Sequence, residues 1–227
     1  MSKSILAISS CIHLGEKNCR EDLVLEFLEA IKELGASLAL IGDTHNVGAN
    51  SGTAHQGSVW DDSYNVDDQL SRSNKLFKPL IKNIVRILPG NHEERGRKAL
   101  SVKFNRQLAI GLGIPEVYRD TYSTLKFSGK RIFMSHGGSM NDFRKVLIGH
   151  EGSDVIALGH THQLSQEIVG RRSKSGRRDV HLIRCGTFLE EPRYGKIALY
   201  PPNPLGAAWI TVDGDRVSVD LGVTPRK

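Results

Sequence analysis

Short apolar runs recur along the chain, and most of them break off at glycine, histidine, aspartate or asparagine. Residues 4–10, SILAISS, have the length and apolar content of a buried strand. Val24, Phe27, Leu28, Ile31 and Leu34 then recur at helical spacing over 22–34, and Gly35 supplies a stop. Residues 37–41, SLALI, predict a second buried strand. A strand–helix–strand order implies a parallel pair joined by a right-handed crossover. Residues 45–66 are polar and predict a long loop; 67–83 predict a helix broken or kinked at Pro79. A third strand, IVRIL at 84–88, ends at Pro89-Gly90, and 94–112 predict one further helix.

Beyond that point the pattern becomes hairpin-rich. STLKF and RIFMS flank a Ser-Gly-Lys turn, and DVIAL at 154–158 reads as a strand. SQEIVG and DVHLIRC flank a basic tip, and AWITV and RVSVDL flank Asp213-Gly214-Asp215. No repeat or low-complexity linker interrupts the chain. The expectation is one domain over residues 1–227, a two-sheet β-sandwich flanked by α-helices.

Composition narrows the picture only slightly. A chain of 227 residues can bury a core without a disulfide or metal staple. No run approaches 18 uncharged apolar residues, which predicts no membrane span and no membrane partner. The opening MSKSILAISSCIHLG lacks a proper apolar h-region and a small-residue cleavage site, so no signal peptide is expected. Three scattered cysteines, Cys11, Cys19 and Cys185, argue for a reducing compartment and a cytoplasmic location. The net charge is +6, and five of the positive charges fall in RRSKSGRR at 171–178. Such a cluster can neutralise phosphates, and it can equally be a solvated, flexible hairpin tip.

Chemistry concentrates at the strand ends. Cys11-Ile12-His13 follows the first run, Gly42-Asp43 the second and Gly90-Asn91-His92-Glu93 the third. His136-Gly137 follows RIFMS, and Gly159-His160-Thr161-His162 follows DVIAL. Ligands of α/β sheets bind beyond the carboxyl ends of the strands, so these segments can converge. Imidazole, carboxylate and amide donors suit borderline divalent ions such as Mn²⁺, Fe²⁺, Zn²⁺ or Ni²⁺. Two such ions can hold the attacking and leaving oxygens of a phosphoryl displacement, with a carboxylate such as Asp43 between them. A Rossmann-type nucleotide binder is excluded by the absence of G-x-G-x-x-G after the first strand.

The ordered motifs GDTHN, GNHE, SHG and GHTH, over about residues 5–162, resemble those of the calcineurin-like metallophosphoesterases. With Ser51, Gln69 and Pro79 before GNHEER, the likeness extends to small phage-borne or bacterial members. The resemblance implies a four-layer αββα sandwich and two divalent ions, Mn²⁺ foremost. One ion would be held by Cys11, His13, Asp43 and His162. The other would be held by Asp43, Asn91, His136 and His160. Asp43 would bridge them together with the attacking water. His92 would stabilise the transition state or protonate the leaving oxygen, and Glu93 would support it from behind. The implied substrate is a phosphate ester, and the basic hairpin favours a phosphodiester, either a nucleotide or nucleic acid. The alternatives are a phosphomonoesterase, or a binding protein impaired in catalysis by Cys11.

Cys11 stands where the family has aspartate. A thiolate suits Zn²⁺ or Fe²⁺ better than Mn²⁺ or Mg²⁺, and the other reading is an inert buried thiol. His45, Asn46 and Arg95 are candidates for reaching the substrate, as is Arg97. His55, His150 and His181 belong to no motif and read as structural. The 45–66 loop and the 171–178 tip are the segments where substrate choice is expected to lie.

Overall fold

A computed structural model describes residues 3–47, 64–137, 145–146, 149–150, 152–173, 176–190 and 202–226. His55, Ser51 and most of the expected 45–66 loop lie outside these residues.

The first sheet contains β1 (Ser4–Ser9), β2 (Ser37–Ile41), β3 (Ile84–Leu88), β9 (Ala207–Asp213) and β10 (Arg216–Gly222), in the order β10-β9-β1-β2-β3. The strands β1, β2 and β3 are parallel, β9 runs against them, and the edge strand β10 is antiparallel to β9. The second sheet contains β4 (Tyr122–Phe127), β5 (Lys130–Ser135), β6 (Val155–Leu158), β7 (Leu164–Ser173) and β8 (Gly176–Cys185), in the order β4-β5-β6-β8-β7. Here β5, β6 and β8 are parallel and the two edge strands antiparallel.

Alternation along each strand divides the core between two faces. Leu6, Ile8, Ala39 and Ile41 of the first sheet meet Ile132, Met134, Val155, Ala157 and Ile183 of the second. Ala7, Leu38, Leu40 and Trp209 point the other way, toward helices. Among the described residues the chain therefore forms two mixed five-stranded sheets flanked by the α-helices α1 (Glu21–Leu34), α2 (Val66–Phe77), α3 (Asn91–Leu100) and α4 (Phe104–Gly111). Val24, Phe27, Leu28 and Ile31 form the apolar stripe of α1. Glu21 and Asp22 in its first turn and Lys32 in its last complement the helix dipole. The helix ends as expected at Gly35, which is left-handed at φ 59°.

Three expectations need correction. The helix expected over 94–112 is two helices, because Ser101 turns left-handed at φ 56° and ends α3. The first of them begins at Asn91, which puts the Asn-His-Glu motif in a helical turn. The helix expected over 67–83 breaks as expected at Pro79, whose ring denies the ladder an N–H, but beyond the 3-10 turn over Lys78–Leu80 it does not resume to 83.

The third correction concerns the basic segment. The strands β7 and β8 pair as far as Ser173–Gly176, so most of it is ladder. It also lies at the wrong end for the site. β8 runs parallel to β6, and β6 ends at the histidine motif, so Gly176 opens β8 at the opposite pole. The eight steps from Leu164 to Arg172 span about 25 Å at the rise of an extended strand. Among the described residues, no helix is long and apolar enough to cross a membrane.

Candidate active site

The carboxyl ends of β1, β2, β3, β5 and β6 bring Cys11, His13, Asp43, Asn91, His136, His160 and His162 together. His13 Nε2 lies 3.1 Å from His162 Nε2 and 3.9 Å from Asp43 Oδ2. His136 Nε2 lies 3.1 Å from Asp43 Oδ2 and 2.9 Å from Asn91 Oδ1, which is 2.7 Å from His160 Nδ1. One sub-cluster thus gathers Cys11, His13 and His162, and the other gathers Asn91, His136 and His160, with Asp43 between them. The potential ligand atoms of Cys11, His13 and His162 lie within 4.8 Å of one another, as do those of Cys11, Asp43 and His136. Cys11 Sγ therefore belongs to both sides. Its Sγ is 3.2 Å from Ser10 Oγ.

Several ring orientations are fixed from outside the cluster. His136 donates Nδ1–H to the Ile41 carbonyl at 3.0 Å, and His13 donates Nδ1–H to Asn46 Oδ1 at 3.3 Å. Each ring then presents an unprotonated Nε2 inward when neutral. This is the arrangement of metal-binding histidines, whose second nitrogen donates to an outer acceptor. His92 is held similarly, with Nδ1–H donated to the Asn46 carbonyl at 2.7 Å, and its ring packs edge-on against His13 at 4.6 Å.

The electrostatics agree with these assignments. Burial favours the neutral Asp43 acid, but the rings of His136, His92 and His13 hold the carboxyl well below the usual carboxylate range. Burial pushes His13 well below its ordinary value and His162 down to about 4, so both are neutral near pH 7. For His136 burial acts in the same sense, but the Asp43 charge outweighs it and raises the ring. Burial, and then the Asp43 charge, push the Cys11 thiol well up. A divalent cation reverses that sign, because coordination deprotonates a thiol. Converging imidazole, carboxylate, amide and thiol donors fit a divalent metal.

Glu93 supports this cluster from beneath. Its carboxylate accepts N–H bonds from Asp43 at 2.9 Å, Gly90 at 2.8 Å and His45 at 2.9 Å. It sits at the third position of α3 and so also caps that helix. The backbone is specialised as well. Cys11, His13, Asp43, His160 and His162 have φ of 54°, 55°, 50°, 69° and 59°. They are five of the eight non-glycine residues with positive φ among those described, in a region such residues seldom occupy. Gly90 is needed for proximity: a Cβ there would stand 2.2 Å from Asp43 Oδ1 and 2.4 Å from the Asp43 nitrogen.

The substrate-contact expectations fare differently. His45 is fully buried, with Nε2 2.8 Å from Ser73 Oγ, and Asn46 is buried with its side chain on His13. Both stand behind the site, because the β2 extension that carries Asp43 also buries them. Arg95 is half-buried with Nη1 3.5 Å from His92 Nδ1, while Arg97 pairs with Glu94. His181 bonds Gln166 at 2.9 Å, and His150 stacks on Phe133 at 3.9 Å, both away from the cluster. A cleft of about 520 Å³ adjoins Asn91 and His136, walled by Phe104 and Tyr118 and rimmed by Lys103, paired with Asp120 at 2.7 Å.

The sequence reading overlooked Ser10, Ser73 and Thr187. Thr187 donates Oγ1–H to the Cys11 carbonyl at 2.8 Å, and the Phe188 N–H bonds the same oxygen at 3.1 Å. No local signal marks Thr187, which reaches the site only because the chain returns past β8. Ser10 had a signal, its place beside the first motif.

Comparison with known proteins agrees with this geometry. Residues 6–180 match the calcineurin-like phosphoesterase family, and the chain belongs to that family. Its members are phosphoesterases, which implies hydrolysis supported by divalent metal. Among solved structures, a Staphylococcus aureus protein assigned as a 5′-nucleotidase is similar at 12% identity with a TM-score of 0.54; the match covers 99% of this chain and 54% of that one. A Streptococcus pneumoniae protein described as a predicted phosphoesterase is similar at 14% identity and a TM-score of 0.49, covering 97% and 90% of the two chains. An archaeal phosphodiesterase is similar at 14% identity and a TM-score of 0.45, covering 96% and 99%. A comparison with curated protein sequences finds no match.

Proposed function

We propose that the protein is a phosphodiesterase working with two divalent ions. The observation that carries this reading is the pair of donor clusters that share Asp43. His13, His162, Cys11 and Asp43 would hold one ion, and Asn91, His136, His160 and Asp43 the other. Bound ions would neutralise charge on the phosphoryl oxygens and lower the pKa of the attacking water. His92 places its Nε2 over this centre, because Nδ1 is committed to the Asn46 carbonyl. Burial lowers the His92 pKa and the Asp43 charge acts against it, and the step uses the imidazolium form: its Nε2–H bonds a phosphoryl or leaving oxygen, the proton passes to the leaving oxygen as the ester bond breaks, and the ring is left neutral with Nδ1–H still on Asn46. Asn46 is its positioning residue. The adjoining cleft supports a diester over a monoester. Its rim cations are matched by carboxylates, and Phe104 and Tyr118 offer apolar walls to a second organic substituent.

Turnover of bis-p-nitrophenyl phosphate beside p-nitrophenyl phosphate, with Mn²⁺, Ni²⁺, Zn²⁺ or Mg²⁺, tests the reading. The diester is expected to react faster, and His92→Ala is expected to lower kcat by about 10²–10⁴-fold, the usual contribution of a positioned acid–base group. Faster monoester turnover sinks the diester assignment.

The thiol at Cys11 carries its own prediction. Soft donors favour Zn²⁺ and Fe²⁺, so Cys11→Asp is expected to shift preference toward Mn²⁺. Competitive metal binding followed by elemental analysis measures this. An unchanged Zn²⁺/Mn²⁺ ratio would show that the thiol is no ligand.

A further inference from the structure

Arg95 carries hydrogen-bond donors that nothing in the fold uses. It stands three residues after His92 on α3, so the two side chains share one face of the helix. Its Nη1 comes within 3.5 Å of His92 Nδ1, but that nitrogen already gives its hydrogen to the Asn46 carbonyl at 2.7 Å. Two N–H groups meet there, so the contact is not a hydrogen bond. The carboxylates next to Arg95 in the chain are engaged elsewhere. Glu94 pairs with Arg97, and Glu93 accepts the N–H groups of Asp43, Gly90 and His45. Among the described residues no carboxylate stands within ion-pair distance of Arg95, whereas Arg20, Arg72, Arg97, Lys103 and Arg178 each have one.

The setting is unfavourable for an unpaired cation. Arg95 is half-buried. A cation partly withdrawn from water loses hydration, which a counter-ion or hydrogen bonds must replace. Its neighbours are imidazoles instead: His92 within 3.5 Å, and His13 edge-on to His92 at 4.6 Å. Bound divalent ions would add further positive charge to the same place. The missing partner is therefore an anion that arrives with the substrate. Across the His92 ring from this contact is the Nε2 that faces the centre. A guanidinium presents a planar fork of N–H donors, and that fork matches two oxygens of a phosphoryl group.

We propose, on the two-ion reading of this site, that Arg95 binds a non-bridging oxygen of the reacting phosphoryl group. With that oxygen on Arg95, His92 is left for the leaving oxygen.

Calorimetric titration of the Mn²⁺-loaded protein with inorganic phosphate tests this without turnover. Arg95→Gln is expected to weaken phosphate binding by about 10–100-fold, the usual loss for charge-assisted hydrogen bonds. Arg95→Lys keeps the charge without the fork and is expected to fall between the two. Lys98→Gln removes the same charge from an exposed position of the same helix and is expected to bind phosphate like the parent. With bis-p-nitrophenyl phosphate, kcat/KM of Arg95→Gln is expected to fall by the same factor as its phosphate affinity, with as many ions bound as in the parent by elemental analysis. Equal phosphate affinity in the parent and Arg95→Gln would overturn the proposal. So would a loss of bound ions in that variant, which would make Arg95 a support of the metal centre, and so would a parent that binds no phosphate. A parent that binds phosphate through Arg95 but turns over no ester would sink the catalytic reading alone.

Discussion

Asp43→Asn is expected to lower phosphodiester turnover by about 10³-fold or more, and to cut the number of bound divalent ions below two. Asparagine preserves shape and can still accept the His92 N–H that Asp43 Oδ1 takes at 2.9 Å. What it removes is the charge shared by the two clusters. Metal-ion stabilisation of a phosphoryl transition state is worth several kcal/mol, and each 1.36 kcal/mol is tenfold in rate. Elemental analysis after gel filtration gives the stoichiometry, and the chromogenic diester gives the rate. A variant that keeps two ions and a tenth of the activity would remove Asp43 from the bridging position. Fold is not at stake, since the variant loses a buried charge held against three histidine rings and leaves the Glu93 network whole.

Gly90→Ala produces the second large effect, through the backbone. The new methyl would stand 2.2 Å from Asp43 Oδ1, 2.4 Å from the Asp43 nitrogen and 2.8 Å from its Cγ. Gly90 has φ −111° and ψ −171°, which alanine adopts freely, so the penalty is steric alone. Overpacking of this kind costs about 1–3 kcal/mol, and a 1 Å displacement of a reacting group costs about 10²-fold in rate. At about 2–4 °C per kcal/mol for a chain of this size, unfolding is expected about 2–12 °C lower. Gly149, whose added Cβ would meet nothing within 4 Å, is the control: Gly149→Ala is expected to leave both values unchanged. Equal activity in the two variants would mean that the β3–α3 turn has slack.

The strand ends were legible because a buried parallel strand leaves a dense apolar run, and the polar residues after it stand out. That pattern marks His13, Asp43, Asn91, His92, His136, His160 and His162 in the sequence. Two things were not legible. Ser101 ends α3 by a left-handed turn that no glycine announces, so 94–112 read as one helix. Strand order is non-sequential, with β8 between β6 and β7 and β9 beside β1, and hydrophobic period carries no strand order. The basic hairpin was therefore assigned to substrate choice, although β8 is parallel to β6 and carries its tip to the far pole. His45 and Asn46 were misplaced for a related reason: proximity to Asp43 in sequence does not say which side of the backbone faces the ions.

The left-handed backbone at Cys11, His13, Asp43, His160 and His162 constrains the alphabet from which this centre can be written. Aspartate, asparagine and histidine tolerate that conformation better than other side chains, and they are also donors to divalent ions. Isoleucine, valine and threonine meet neither demand. Glycine meets the first and forfeits the second. Two filters thus act on the same positions, one on conformation and one on coordination, and few residues pass both. Cys11 passes the second more easily than the first. Drift at these positions is accordingly confined to exchanges among a handful of donors, so the metal preference of the centre can change while its architecture stays fixed.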